Sequence, residues 1–341
     1  MTMGKRIGTR TVRLAHPPAV LGFAAVGGHM EGKGPLRDYF DELNEDHFWG
    51  QKTWEQGEST MQKHALNKAL EKATLHEEDI DFVFAGDLLN QCIGSSFSLR
   101  DSNIPFYGLY SACSTMGESL SLAAMMVDGG FARRAAALTS SHFCTAERQY
   151  RMPVPYGSQR TPTAQWTATA AGCSILGEAG DGPYVTHLTA GKIVDKGITD
   201  PNNMGGAMAP AAYDTLSAVF RDTQTKPSDY DLIVTGDLGK LGHDIVVDFF
   251  EKDGVNMTQN YDDCGLLLFD RTGQDMHCGG SGCGCSAGVL NGYLLRGMRE
   301  KKWNKILFAP TGALLSPTSS FQGESIPGIC HAVVLSNSKE G

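Results

Sequence analysis

Cys113 stands in the triplet Ala112-Cys113-Ser114, between an apolar run at 106–110 and a segment of helical spacing. A thiol at a helix N-terminus faces unpaired amide N–H groups that favour its thiolate, which is how a nucleophilic cysteine is prepared. The other common fate of a free cysteine is that of a small buried hydrophobe. Acyl transfer also needs a base and an oxyanion hole, usually histidine with a second histidine or an asparagine. None of the ten histidines lies in a loop motif matched to Cys113. His142, in SSHFCTAER, follows a strand end directly and is the candidate for a pocket role or a substitute base. His243 reads as a capping or surface residue.

His277, Cys278, Cys283 and Cys285 crowd into HCGGSGCGCS. Zinc and iron–sulfur sites pair cysteines two to four residues apart with a second such pair elsewhere, and no second pair exists. The segment therefore reads as a glycine-rich loop where backbone approaches a ligand or the opposite half of the molecule. Asp87 and Asp237 sit at equivalent strand ends, where open α/β sheets place ligands, and where an aspartate also serves as a cap or turn former.

These residues need a layered scaffold to hold them. Short apolar runs at 82–85, 135–138, 232–235, 266–269, 306–309 and 331–335 predict buried strands. They alternate with helical patterns: 55–73, with Met61, Ala65, Leu66, Ala69 and Leu70 on one face, then a helix after Cys113 stopped by Gly129 and Gly130, and a third near 245–250. Alternation of this kind gives an α/β layered fold. An internal repeat organises it. Asp79, Asp81, Gly86, Asp87 and Leu88 recur 150 residues later as Asp229, Asp231, Gly236, Asp237 and Leu238, and SACSTMGES is answered by GCGCSAGVL. Two similar halves, 1–180 and 181–341, are expected around a pseudo-twofold axis that brings Cys113 to the 280–285 loop.

The chain has 341 residues, a net charge of −9 and 20% charged residues, enough to bury a core without staples. The acidic balance excludes counterion-driven nucleic-acid binding. No apolar stretch approaches the length of a membrane span, so a soluble chain is expected. Basic residues ahead of the apolar run at 19–26 superficially suggest a signal peptide, but His16, Pro17 and Pro18 interrupt them and the run reads as a strand. Nine cysteines, an odd number scattered through apolar segments, are expected to be free thiols.

The duplicated halves, the Ala-Cys-Ser junction and the GGSGCGCSAG loop resemble the thiolase superfamily, which includes the ketoacyl synthases. GDLLNQ, YSACSTMGES, VDGGFARRA, TSSH with TAERQ, GITDPNNMGGAMAPAA and TGALLSPT resemble the SpoVAD family of spore-forming bacteria across nearly the whole chain. The resemblance implies a thiolase-like fold, two pseudo-symmetric mixed-sheet halves in five αβαβα layers. It also implies a non-condensing role: binding of dipicolinic acid by a peripheral subunit of a spore inner-membrane transport assembly, in uptake during sporulation and release in germination.

Cys113 matches the thiolase nucleophile, but the positions of its partners fall near Gly236, Asp237 and Ser281, none of them a base of the family type. An acyltransferase using Cys113, with His142 as its base, is the alternative, and a scaffold with a vestigial pocket is a third reading. The ligand-contact set expected on this resemblance is Cys113, Ser114, Asp87, Asn90, His142, Asp237, Ser281, Cys283, Cys285 and Ser286, with Cys113 a wall rather than a nucleophile. No cofactor is expected, calcium accompanying dipicolinate being the one inorganic partner left open. For Asp87 and Asp237, capping of backbone is favoured over protonation or calcium bridging. The integral membrane subunits of the assembly are the expected protein partners. A homodimer is expected through an edge strand at 135–139 or its sequel.

Overall fold

The structure, a computed structural model, describes residues 5–150 and 160–340. Ten strands form the backbone of its main sheet. The first five are β1 (Ala19–Gly27), β2 (Phe82–Gly86), β3 (Phe106–Leu109), β4 (Arg134–Ser141) and β5 (Ala170–Gly177). The next five are β6 (Tyr184–Thr189), β7 (Leu232–Thr235), β8 (Tyr261–Asp263), β9 (Lys305–Ala309) and β10 (Ala332–Ser336). Their spatial order is β8-β7-β9-β10-β6-β1-β5-β4-β2-β3, so each half repeats one pattern outward from the centre. β2 runs parallel to β3 and β4, as β7 does to β8 and β9. β4 and β9 then meet antiparallel neighbours, β5 and β10. The two sets touch through the pair Tyr184↔Ala19.

The repeated aspartates account for part of this geometry. The Asp81 carboxylate accepts the N–H groups of Arg133 and Arg134 at 2.7 and 3.1 Å, at the start of β4. Asp231 accepts those of Asn304 and Lys305 at 2.6 and 3.0 Å, at the start of β9. Each ties the entry of one parallel strand to the next. The helices repeat at the same offset: α1 (Trp54–Ala73) ends on left-handed Thr74, and α5 (Met204–Thr223) on left-handed Gln224.

Side-chain alternation along the strands produces the layers. Val83 and Ala85 of β2 face α1 in one core, whereas Phe84 points to the centre. In β9, Ile306 and Phe308 point to the centre and Leu307 and Ala309 face α5. The central layer holds α3 (Thr115–Asp128) and α8 (Cys283–Val289), the latter continuing as helix to Arg299, while α4 (Phe143–Tyr150) follows β4. Outside lie α1 and α2 (Ile93–Leu99) on one side, and α5 with α6 (Gly239–Lys252) on the other. This is the mixed α/β fold in five layers.

Two expectations are corrected. Residues 266–269 are not a strand: Cys264–Leu268 is a helix, α7, because the Asp263 side chain caps it by accepting the Gly265 N–H at 3.0 Å. A short apolar run carries no periodicity to tell the two apart. Nor is 135–139 an edge. β4 is paired along its whole length with β5 on one side and with β2 on the other, leaving β3 and β8 as the ends of the order. The run at 19–26 is the buried strand β1, and all nine cysteines are free. Among the described residues no helix is long and apolar enough to cross a membrane.

Candidate functional site

Cys113 is placed by the turn between β3 and α3. Ala112 adopts a left-handed φ of +47°, and the Ser114 hydroxyl donates back to Ser111 O at 2.8 Å, closing the turn. Opposite, the loop ahead of α8 brings Gly282 against it. Gly282 has φ +94°, and a Cβ there would stand 2.7 Å from Ser141 Oγ, so only glycine fits. Its N–H donates to Asp237 Oδ2 at 3.0 Å and lies near the Cys113 sulfur. Cys113, Cys283, Leu88 and Ala146 share one apolar cluster, so the thiol and the glycine-rich loop do meet.

Asp237 is the acid beside Cys113. Ser281 Oγ and Thr311 Oγ1 donate to the Asp237 carboxylate at 3.3 and 2.9 Å, and the Cys113 thiol lies close enough to interact with it. Burial, with the buried Asp263 nearby, pushes the Asp237 carboxyl up to about 7, although the Cys113 contact opposes the rise. Burial and the adjacent Asp237 raise the Cys113 thiol well above its ordinary value. The thiolate that would attack an acyl group is therefore suppressed.

A cavity of about 50 Å³ opens beside them. Leu88, Ala146, Met204 and Leu315 give it apolar walls, and Tyr110, Thr167 and Ser281 give it hydroxyls. Tyr110 and Tyr150 hydrogen-bond to each other at 2.8 Å, and Tyr150 donates to Leu88 O at 2.6 Å. Among the described residues the lining contains no histidine and no cationic side chain.

The other expected residues divide. Ser281 lines the cavity, and Cys283 packs beside Cys113 while donating to Ser140 O at 3.0 Å. Cys285 lies deeper, its sulfur 3.7 Å from Gly236 O. The hydroxyls of Ser114 and Ser286 are committed to nearby carbonyls, Ser111 O and Cys283 O. Asn90 is exposed, its N–H donating to Gln149 Oε1. His142 is buried with both ring nitrogens engaged. Nδ1 accepts the Cys144 N–H at 3.1 Å, so the proton sits on Nε2, which donates to His47 O at 2.9 Å. Burial lowers this imidazole to about 4.

Asp87, the repeat partner of Asp237, caps backbone, accepting from Leu89 N at 2.9 Å and from Ser95 N at 2.7 Å. Its neighbour escaped sequence reasoning. Glu58 lies on the apolar face of α1, fully buried, accepting from Ser140 at 3.1 Å and Thr145 at 2.7 Å. Burial and the Asp87 charge push it up to about 8. Tyr150 was also missed, and Thr311 was flagged only through the TGALLSPT segment. Met204 and Pro201 were flagged only through the GITDPNNM segment that carries them, now seen as cavity wall. Among the described residues no group of three or more ligating side chains is arranged to hold a metal ion.

Comparison with known proteins agrees with this architecture. Several solved structures share it: 3-oxoacyl-[acyl-carrier-protein] synthase III from Aquifex aeolicus has a TM-score of 0.57 at 12% identity, over 94% of this chain and 99% of that one. A cerulenin-bound structure of OleA from Xanthomonas campestris has a TM-score of 0.60 at 13% identity, over 94% of this chain and 97% of that one. At such identities the likeness shows the fold alone. Stage V sporulation protein AD of Bacillus subtilis strain 168 is 44% identical over 331 residues, covering 97% of this chain and 98% of that protein. Residues 8–336 match the family model of stage V sporulation protein AD. With its thiolase-like fold and a match over nearly its full length, the chain belongs to the stage V sporulation protein AD (SpoVAD) family.

Proposed function

We propose that this sporulation protein binds dipicolinic acid in the Cys113 cavity without acyl transfer, as a peripheral subunit of a spore inner-membrane transport assembly. In that role it acts in dipicolinate uptake during sporulation and release in germination. One observation carries the reading: the acid beside the buried Cys113 thiol is the carboxyl of Asp237, where acyl transfer would call for a base. A lone thiol of raised pKa loses most of the transition-state stabilisation that makes acyl transfer useful. His142 offers no substitute, since its ring is neutral and both nitrogens are engaged elsewhere.

The lining suits one face of the ligand better than its charge. A flat pyridine needs an apolar slot, which Leu88, Ala146, Met204 and Leu315 supply. At about 50 Å³ the cavity is smaller than the roughly 150 Å³ that admits benzene in an engineered core, so the ring enters with displacement of the half-buried Tyr150, Met204 and Leu315. Hydroxyls of Ser281, Thr167 and Tyr110 remain as donors to the carboxylates.

Isothermal titration of dipicolinate into the parent protein and Cys113→Ala tests the reading, together with intact mass after incubation with acetyl-CoA. Binding within about threefold in both proteins is expected, because alanine preserves the apolar wall, and no acetyl adduct. An adduct on Cys113, or no dipicolinate binding by the parent, refutes it.

A further inference from the structure

We propose that the Tyr110 hydroxyl is a latch on the mouth of the Cys113 cavity, and that breaking its hydrogen bond to Tyr150 admits a ligand. The proposal concerns entry of any ligand, so it goes beyond the dipicolinate reading. Exposure is graded along the lining. Cys113, Thr167, Ser281 and Ala313 form a buried floor, whereas Tyr150, Pro201, Met204 and Leu315 are half-buried and Tyr110 is 43% exposed. Among the described residues, solvent thus reaches the cavity past two tyrosines and three apolar side chains. The tyrosines are tied together, hydroxyl to hydroxyl, at 2.8 Å.

The two sides of this bond are held unequally. The end of α4 is pinned to the turn after β2: Tyr150 donates to Leu88 O at 2.6 Å, Gln149 Nε2 donates to the same carbonyl at 2.9 Å, and Gln149 Oε1 accepts the Asn90 N–H at 3.1 Å. The single Tyr150 hydroxyl proton is engaged with Leu88 O, so in the tyrosine pair Tyr110 donates and Tyr150 accepts. Among the described residues this is the one hydrogen bond of the Tyr110 side chain. Tyr110 stands in the turn between β3 and α3, and when the bond breaks water takes over its exposed hydroxyl. One neutral hydrogen bond of this kind favours the closed form by a factor of about two to ten. Size makes the opening necessary. The closed cavity of about 50 Å³ is well short of the roughly 150 Å³ that holds benzene, and withdrawal of one phenol ring, itself larger than benzene, makes up the difference. With Tyr110 swung out, Tyr150 keeps Leu88 O as its hydroxyl's partner and can yield in turn.

Access to Cys113, the thiol on the cavity floor, reads the latch with no ligand present. The full chain is treated with iodoacetamide, which alkylates sulfur with loss of iodide and of the thiol proton to solvent, and the rate at each cysteine is followed by peptide mass. Tyr110→Phe removes the latch and keeps the ring, so Cys113 should react about two- to tenfold faster than in the parent. Cys173 and Cys330, buried outside the lining, should keep their parent rates. Tyr150→Phe should accelerate Cys113 at least as much. Adding Tyr110→Phe to it should bring no further gain, because the first hydroxyl acts through the second. An unchanged Cys113 rate in Tyr110→Phe overturns the latch. A rise shared by Cys173 and Cys330 reports loosening of the whole fold and also overturns it, as does full additivity in the double variant. If Tyr150→Phe does not fold, the three thiol rates in Tyr110→Phe decide.

Discussion

Glu58→Gln should flatten the dependence of stability on pH. Glu58 is buried beside Asp87, and its carboxyl is pushed up to about 8 by burial first and the Asp87 charge second. A carboxyl raised in the folded state contributes stability that is fully present below its unfolded value near 4.5 and lost as pH rises through the folded one. Between pH 6 and 8 the unfolded chain has already released this proton, whereas the folded chain still holds it. At about 1.4 kcal/mol per unit, levelling off as pH nears the folded value, the group takes about 2 kcal/mol from the folding free energy over that window. Glutamine keeps an oxygen for Ser140 and Thr145 and carries no charge to bury. Urea unfolding of parent and variant at pH 6, 7 and 8, followed by tryptophan fluorescence, measures the difference. The parent should weaken with rising pH, and the variant should weaken by about 2 kcal/mol less. A parent whose stability is flat or rises across this window would refute the argument, as would an unchanged slope in Glu58→Gln.

Three further outcomes follow from the same geometry. Ala313→Phe, placing a ring in the cavity from its wall, should abolish dipicolinate binding while the protein still melts cooperatively; retained affinity in titration places the ligand elsewhere. Asp81→Ala and Asp231→Ala should each cost about 1–3 kcal/mol, because each frees two backbone N–H groups at a strand entry, and chemical denaturation should give similar values for the two. If the chain pairs with itself through a sheet edge in its first half, β3 is the strand left to do it; Gly108→Pro should then yield monomer in sedimentation, and an unchanged dimer would exclude that edge.

What was legible in the sequence is what local chemistry dictates. The DIDFVFAGDL and DYDLIVTGDL segments could be matched because their aspartates do the same job twice, holding β4 and β9 by their first amides. The apolar face of α1 was readable from its period, since Met61, Ala65, Leu66, Ala69 and Leu70 are all buried. Glu58 and Gln62 were not, because they lie on that same face and periodicity assigns acids and amides to water. Their burial depends on Ser140 and Thr145, some 80 residues away. The serines failed for a related reason. Ser114 and Ser286 begin helices, and hydroxyls there return to neighbouring carbonyls before any ligand claims them. Strand order is likewise nonlocal, which is why β4 passed for an edge.

The two copies of the Gly-Asp-Leu turn show how one scaffold separates structure from function. Asp87 and Asp237 follow equivalent strands and both hold backbone amides, at Leu89 and Ser95 in one half and at Gly282 in the other. Asp87 stays off the cavity wall, where its neighbour Leu88 stands, and faces Glu58, so its half of the motif closes upon itself. Asp237 instead lies beside Cys113 of the opposite half, across the central layer. A pseudo-twofold arrangement makes this unavoidable, because α3 and α8 enter the same layer from the two halves and their N-terminal loops converge. It brings together the Cys113 thiol, the Asp237 carboxyl and the Gly282 amide, and burial beside that carboxyl holds the thiol well above its ordinary value.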